Sequence, residues 1–195
     1  MRKIHFRAWV IAPLLLLVVP IVAQQGPINP KAVALLRWYP ANRATSFNVG
    51  SWAGEQGIAF DGANLWIANE FSNAVTKLRA SDGAVLGTFT IAAPWDVASD
   101  GANVWVTNVQ GTVTKLRASD GAKLGTFTVG WYPWGVTFDG AHIWVANRLG
   151  NTVTKLRASD GTILGTFPVA SPAAIAFDGA NIWVANYWSG TVSKM

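Results

Sequence analysis

The chain has 195 residues, with 15 Lys and Arg against 10 Asp and Glu, a formal net charge of +5, and no cysteine. Without cysteine there is no disulfide framework, thiolate zinc site or cysteine nucleophile, so stability has to come from packing. No block of like charge occurs, which argues against nucleic acid as a partner.

Residues 1–23 read as a signal peptide. Arg2, Lys3 and Arg7 make a basic start, an apolar run follows from Val10 to Ala23, and Ile21-Val22-Ala23 before Gln24 suits a signal peptidase. The run is short for a bilayer span and is interrupted by Pro13 and Pro20. The expectation is a secreted or periplasmic chain with no stable membrane insertion after cleavage. What remains carries 12 basic and 10 acidic residues, close to balance. Residues 24–32 read as a linker.

From residue 33 the chain repeats itself. Asp61-Gly62, Asp100-Gly101, Asp139-Gly140 and Asp178-Gly179 stand 39 residues apart, as do Trp66, Trp105, Trp144 and Trp183. Lys77 to Gly83 returns at Lys115 to Gly121 and at Lys155 to Gly161, each followed by Leu-Gly-Thr-Phe. One unit predicts four strands: A over Gly57 to Phe60, B over Leu65 to Ala68, C over Val75 to Arg79 and D over Val85 to Ile91. Asp-Gly pairs between A and B and between C and D mark tight turns, because glycine accepts positive φ. Strand B is apolar on both faces, as suits a strand covered on both sides. One four-stranded sheet cannot cover its own faces, so such units must stack. The prediction is an all-β chain, a β-propeller of four-stranded antiparallel blades.

About four blades are present. Val33 to Gly50 aligns with Val75 to Ala92, putting Phe47 on Phe89, and reads as a half blade of strands C and D. Blades follow over 57–95, 96–134 and 135–173, with a partial blade over 174–195. Met195 falls inside a strand, an interruption expected of a fragment.

Segments such as Ile143-Trp144-Val145-Ala146-Asn147 followed by Thr152-Val153-Thr154-Lys155-Leu156 resemble the YVTN-type β-propeller repeat of exported bacterial proteins. More distantly they are similar to NHL-repeat propellers and to the virginiamycin B lyase propeller. The resemblance covers about Val33 to Met195, and tryptophan stands in strand B where the family usually has tyrosine. It implies a ring of six to eight blades, of which this chain is a part, and it implies no catalytic residue here.

In a meander A-B-C-D, the A–B and C–D turns share one face of the ring and the B–C and D–A connections share the other. The first pair is nearly invariant between units and the second is not. The variable face therefore holds the candidate ligand-binding residues: Trp52, Glu55, Glu70, Phe71, Trp95, Asp96, Trp131, Tyr132, Trp134, Arg148, Tyr187 and Trp188. A constant scaffold with variable aromatic loops on one side is a common layout for binding surfaces, although loops also vary when they do nothing.

Catalytic and metal chemistry has little support in the sequence. His142, the one histidine after residue 23, takes a turn position held elsewhere by Asn64, Asn103 and Asn181. The Asp-Gly aspartates recur once per unit as turn residues, without the spacing of a calcium loop. The leading expectation is a scaffold without cofactor that binds a glycan, peptide or protein partner through the aromatic face. The alternative is a lyase or hydrolase using Glu55, Glu70 or Asp96 with Arg148, since a single acid or base must break the repeat symmetry. An open arc of blades is also expected to self-associate through its edges.

Overall fold

A computed structural model describes residues 46–50 and 53–195. The signal-peptide and linker readings, most of the half blade and Trp52 lie outside the described residues. Phe47 to Met195 form one compact unit.

Four antiparallel sheets follow in chain order. Blade 1 comprises β1 (Glu55–Phe60), β2 (Asn64–Asn69), β3 (Ala74–Arg79) and β4 (Val85–Thr90). Blade 2 comprises β5 (Pro94–Ser99), β6 (Asn103–Asn108), β7 (Thr112–Arg117) and β8 (Lys123–Thr128). Blade 3 comprises β9 (Pro133–Phe138), β10 (His142–Asn147), β11 (Thr152–Arg157) and β12 (Ile163–Pro168), and blade 4 comprises β13 (Pro172–Phe177), β14 (Ile182–Asn186) and β15 (Thr191–Lys194). Strands pair strictly in sequence order. Strand A starts two residues earlier than its hydrophobic pattern predicts.

The A–B turn is braced by its aspartate. Asp61 Oδ1 accepts the backbone N–H of Ala63 and of Asn64, and the next residue, Gly62, takes φ +103°. The other carboxylate oxygen reaches into the sheet: the indole N–H of Trp66 donates to Asp61 Oδ2 at 2.7 Å. Trp105, Trp144 and Trp183 do the same to Asp100, Asp139 and Asp178. One carboxylate thus closes the turn and satisfies the only polar atom of a buried tryptophan.

The C–D glycine answers to a neighbouring blade as well as to its own turn. Gly121 has φ +74°, and a Cβ there would fall inside the ring of Phe89 from β4. Phe127 lies in the same way on Gly161, and Phe47 on Gly83.

The core lies between the blades. Trp66, Ala68 and Val75 of blade 1 pack on Val97, Val104, Val106 and Leu116 of blade 2. Trp105 and Val113 pack on Val136, Ile143, Val145 and Leu156 of blade 3, and Trp144 and Val153 on Ile182 and Val184 of blade 4. Each fully buried large apolar side chain contributes about 1.5–3 kcal/mol. A buried lysine ties successive blades: Lys77 Nζ lies 5.1 Å from the centroid of Trp66 and donates to Ala118 O at 2.6 Å. Lys115 repeats this with Trp105 and Ala158. The aliphatic stem is buried while the ammonium finds a π face and a carbonyl.

Candidate binding face

Two local features aim side chains onto the variable face. The residue before each A strand is left-handed: Gly54 (φ 61°), Ala93 (φ 41°), Tyr132 (φ 57°) and Ser171 (φ 48°). Such backbone is costly for a bulky residue like Tyr132. It recurs in all four blades, so it belongs to the connection rather than to one site. Each A strand then opens with a bulge, where Pro94↔Asn108 is followed by Val97↔Val106, and Pro133↔Asn147 by Gly135↔Ala146. Bulges re-aim side chains. Here they present the equivalent residues Gln56, Trp95, Trp134 and Ala173 around one cavity of about 340 Å³.

Trp95 and Trp134, from adjacent blades, stack with centroids 4.8 Å apart and planes 8° from parallel. The Arg148 guanidinium carbon lies 3.9 Å from the Trp134 centroid, 4.2 Å from that of Tyr187 and 5.8 Å from that of Trp188. Tyr187 meets Trp134 and Trp188 edge-on, and Tyr132 tilts against Trp134. Six of the twelve sequence candidates therefore form one cluster spanning blades 2 to 4. Trp188 and Tyr187 are exposed, whereas Trp95, Tyr132, Trp134 and Arg148 are half-buried. Two donors in the cluster, Arg148 Nε and Trp134 Nε1, are buried without a hydrogen-bond partner.

Asp96 lies beside this cluster on the same cavity. Its Oδ1 accepts the Val97 N–H at 2.8 Å and its Oδ2 the Val136 N–H of blade 3 at 3.0 Å. Burial pushes its carboxyl above the usual aspartate value, and the two N–H groups offset part of that rise. A Cβ on Gly57 would come within 2.6 Å of the Asp96 Cα, so the inner strands approach closely there. Glu55 is exposed, and Glu70 accepts a 2.9 Å bond from Gln56 Nε2. Phe71 is exposed and lies against Gly54. Glu55, Glu70 and Phe71 thus stand on blade 1, with Glu70 tied to the cavity residue Gln56. Trp131 is 67 % exposed, and its carbonyl accepts the Gly150 N–H. Among the described residues no three His, Cys, Asp or Glu side chains converge.

Gln56 and Gly57 escape a sequence reading that looks for aromatics and charges. The 39-residue spacing still points to them, since they are the blade 1 equivalents of Trp95 and Asp96.

The constant face is structural in its hydrogen bonding. Asp139 is half-buried, which raises its carboxyl, but bonds from the Trp144 indole, from the Ala141 and His142 backbone and from the His142 ring bring it down to about 2. His142 Nδ1 lies 3.1 Å from that carboxylate.

No family model matches the sequence, and no curated protein does either. Solved structures match the fold. Hydrazine synthase from Kuenenia stuttgartiensis superposes with a TM-score of 0.68 at 20 % identity, covering 78 % of this chain and 48 % of that one. The WD40 repeats of RRP9 give 0.67 at 16 % identity, over 75 % of this chain and 51 % of that one. Four-stranded WD40 repeats build propellers. The fold is a β-propeller. The computationally designed Ika4 protein gives 0.66 at 14 % identity, covering 77 % of this chain and 94 % of that one. The chain spans about half the length of the hydrazine synthase and RRP9 chains. At these identities the likeness concerns fold alone.

Proposed function

We propose that this is an exported, YVTN-type propeller that acts as a recognition scaffold. Its cluster around Arg148 binds a carboxylate carried by a peptide or protein partner. The carrying observation is the pair of buried donors, Arg148 Nε and Trp134 Nε1, that lack an acceptor within an aromatic setting. A buried donor without a partner costs about 1–3 kcal/mol, so a ligand oxygen that satisfies it gains affinity. Contact with the Trp134 and Tyr187 rings holds the guanidinium in place, which favours a planar carboxylate.

The test is binding to an acidic peptide library, its amidated counterparts and uronic-acid oligosaccharides. Acidic peptides should bind best, and Arg148→Ala should lose tenfold or more of that affinity, while Arg148→Lys recovers only part. Uronic acids binding instead would identify a glycan ligand for the same chemistry. Equal binding of amidated peptides would refute the carboxylate reading. N-terminal sequencing of the mature protein tests export, with Gln24 expected as the first residue.

A second reading, a lyase or hydrolase, draws on Asp96, whose raised carboxyl faces the cavity. Against it, both oxygens of Asp96 already accept backbone N–H groups. Turnover of a bound ligand that Asp96→Asn abolishes would favour this reading.

A further inference from the structure

The gap between blades 1 and 2 departs from the repeat in three places, and the departures meet. The B–C connection of blade 2 has three residues, 109–111, where blades 1 and 3 have four, 70–73 and 148–151. Lys123 opens β8, where Val85 opens β4 and Ile163 opens β12. The Asn108 amide also turns away from its own strand C. At the same position Asn69 and Asn147 donate from Nδ2 to the hydroxyls of Thr76 and Thr154. Asn108 Nδ2 instead donates to the Ala92 carbonyl, which follows blade 1, at 2.9 Å.

These departures leave a cavity of about 300 Å³, lined among others by Thr90, Gln110, Thr112, Thr114, Thr126 and Lys123. Its floor is the face of blade 2 turned toward blade 1, since Leu116, the register partner of Lys123, packs in the core they share. Between blades 2 and 3 the corresponding space is closed. A Cβ on Gly130 would lie 2.6 Å from the Asn147 side chain, and the Gly150 N–H donates to the Trp131 carbonyl at 2.9 Å.

The lining is rich in uncommitted donors. In blades 3 and 4 the hydroxyls equivalent to Thr112 accept a bond from the strand B asparagine, Thr152 from Asn147 and Thr191 from Asn186. With Asn108 turned away, Thr112 has no such partner. Among the described residues the side chains of Thr90, Gln110 and Lys123 make no hydrogen bond either, and no carboxylate lines the cavity. A lysine on an outer strand guards against edge-to-edge pairing, but a shortened loop and Gln110 serve no such end. A role in holding blades together would recur in the next gap.

We propose that this cavity is a second ligand site, which takes a small hydroxylated molecule carrying one oxyanion group. Lys123 meets the anion, and Thr90, Gln110 and Thr112 hydrogen-bond the hydroxyls. An ammonium with no carboxylate beside it favours an anion. Hydroxyl and amide groups both donate and accept, as a hydroxylated ligand requires. The volume stands at the small end of ligand pockets.

The experiment is an amide chemical-shift titration of the full chain with glucose 6-phosphate, glucose 6-sulfate and glucuronate. Glucose and inorganic phosphate represent the two halves of such a ligand. At least one of the three acids should bind with a Kd on the order of 1 mM or tighter, with shifts centred on Gln110, Thr112 and Thr126. Whichever binds best identifies the oxyanion. Glucose and inorganic phosphate should each bind at least about tenfold more weakly, and Lys123→Val should cost at least about tenfold. Valine fills that position in blade 1, so folding is expected to survive. Thr112→Ala, which copies Ala74 of blade 1, should also weaken binding. Four results would overturn the proposal: no binding by any of the three acids, shifts centred away from the cavity, indifference to Lys123→Val, or inorganic phosphate bound as tightly as the sugar acids, which would mark an adventitious ion only. Arg148→Ala should leave the cavity shifts unchanged, so failure here and failure of the Arg148 reading are separately visible.

Discussion

Trp105→Phe perturbs the feature that defines each blade. Trp105 is fully buried, its N–H donates to Asp100 at 2.9 Å, and its ring packs on Val136, Ile143 and Leu156 of blade 3. Phenylalanine is smaller by about 40 Å³, and about 24 cal/mol per Å³ of unfilled space makes that about 1 kcal/mol. Losing a hydrogen bond to a carboxylate adds about 1.5–3 kcal/mol. The expected total is about 2.5–4 kcal/mol, a large share of a stability of about 5–15 kcal/mol. Trp183→Phe is the internal control. It loses the equivalent bond, to Asp178 at 2.6 Å, but that bond is solvent-exposed and the ring is 38 % exposed, so about 1 kcal/mol is expected. The assay is urea unfolding by circular dichroism, with hydrogen exchange to localise the effect. Because the Trp105 ring packs on blade 3, exchange should rise most in blades 2 and 3. Equal costs for the two substitutions would refute the reasoning, since interblade packing would then add nothing.

Gly121→Ala should cost at least about 1 kcal/mol more than Gly101→Ala by thermal unfolding. Both glycines have positive φ, but only at Gly121 would the new Cβ meet a ring, that of Phe89; equal costs would mean the approach of that ring is unimportant. For Asp96 the folded pKa is raised by burial, so its stability contribution is present below the unfolded value and lost as pH rises through the folded one. At neutral pH the wild type carries that penalty and Asp96→Asn does not, although the amide forfeits one backbone bond. The stability deficit of Asp96→Asn should therefore shrink between pH 4 and pH 7, and a deficit that grows would show the carboxylate favoured when charged.

Much of the fold is legible along the chain because it is a local and repeated solution. Asp61-Gly62 makes a turn from its own side chain and its own positive φ, so a 39-residue recurrence of Asp, Gly and Trp announces a strand pair wherever it occurs. The division into a constant and a variable face follows from counting strands in a meander. The second role of Asp61, holding the indole of Trp66, involves residues five positions apart, yet it shows only once strand B has curled the ring back over the turn. The burial of Lys77 and Lys115 was not legible. A lysine in a strand pattern reads as an outward charge, and only the next blade supplies the carbonyls that let it turn inward.

The candidate site divides in the same way. Its composition was readable as aromatics and a lone arginine that break the repeat. Which of them meet was decided by tertiary structure. Trp95, Trp134 and Tyr187 belong to three different blades, and their meeting at Trp134 depends on the bulges that open each A strand and on the close approach of inner strands at Gly57 and Gly135. Glu55, Glu70 and Phe71 have the same sequence credentials but stand on blade 1, apart from that cluster. A repeat sequence determines the unit by contacts a few residues long. The order in which units are laid side by side determines which variable positions share a neighbourhood, because those contacts span about one repeat and exist only after the blades have packed.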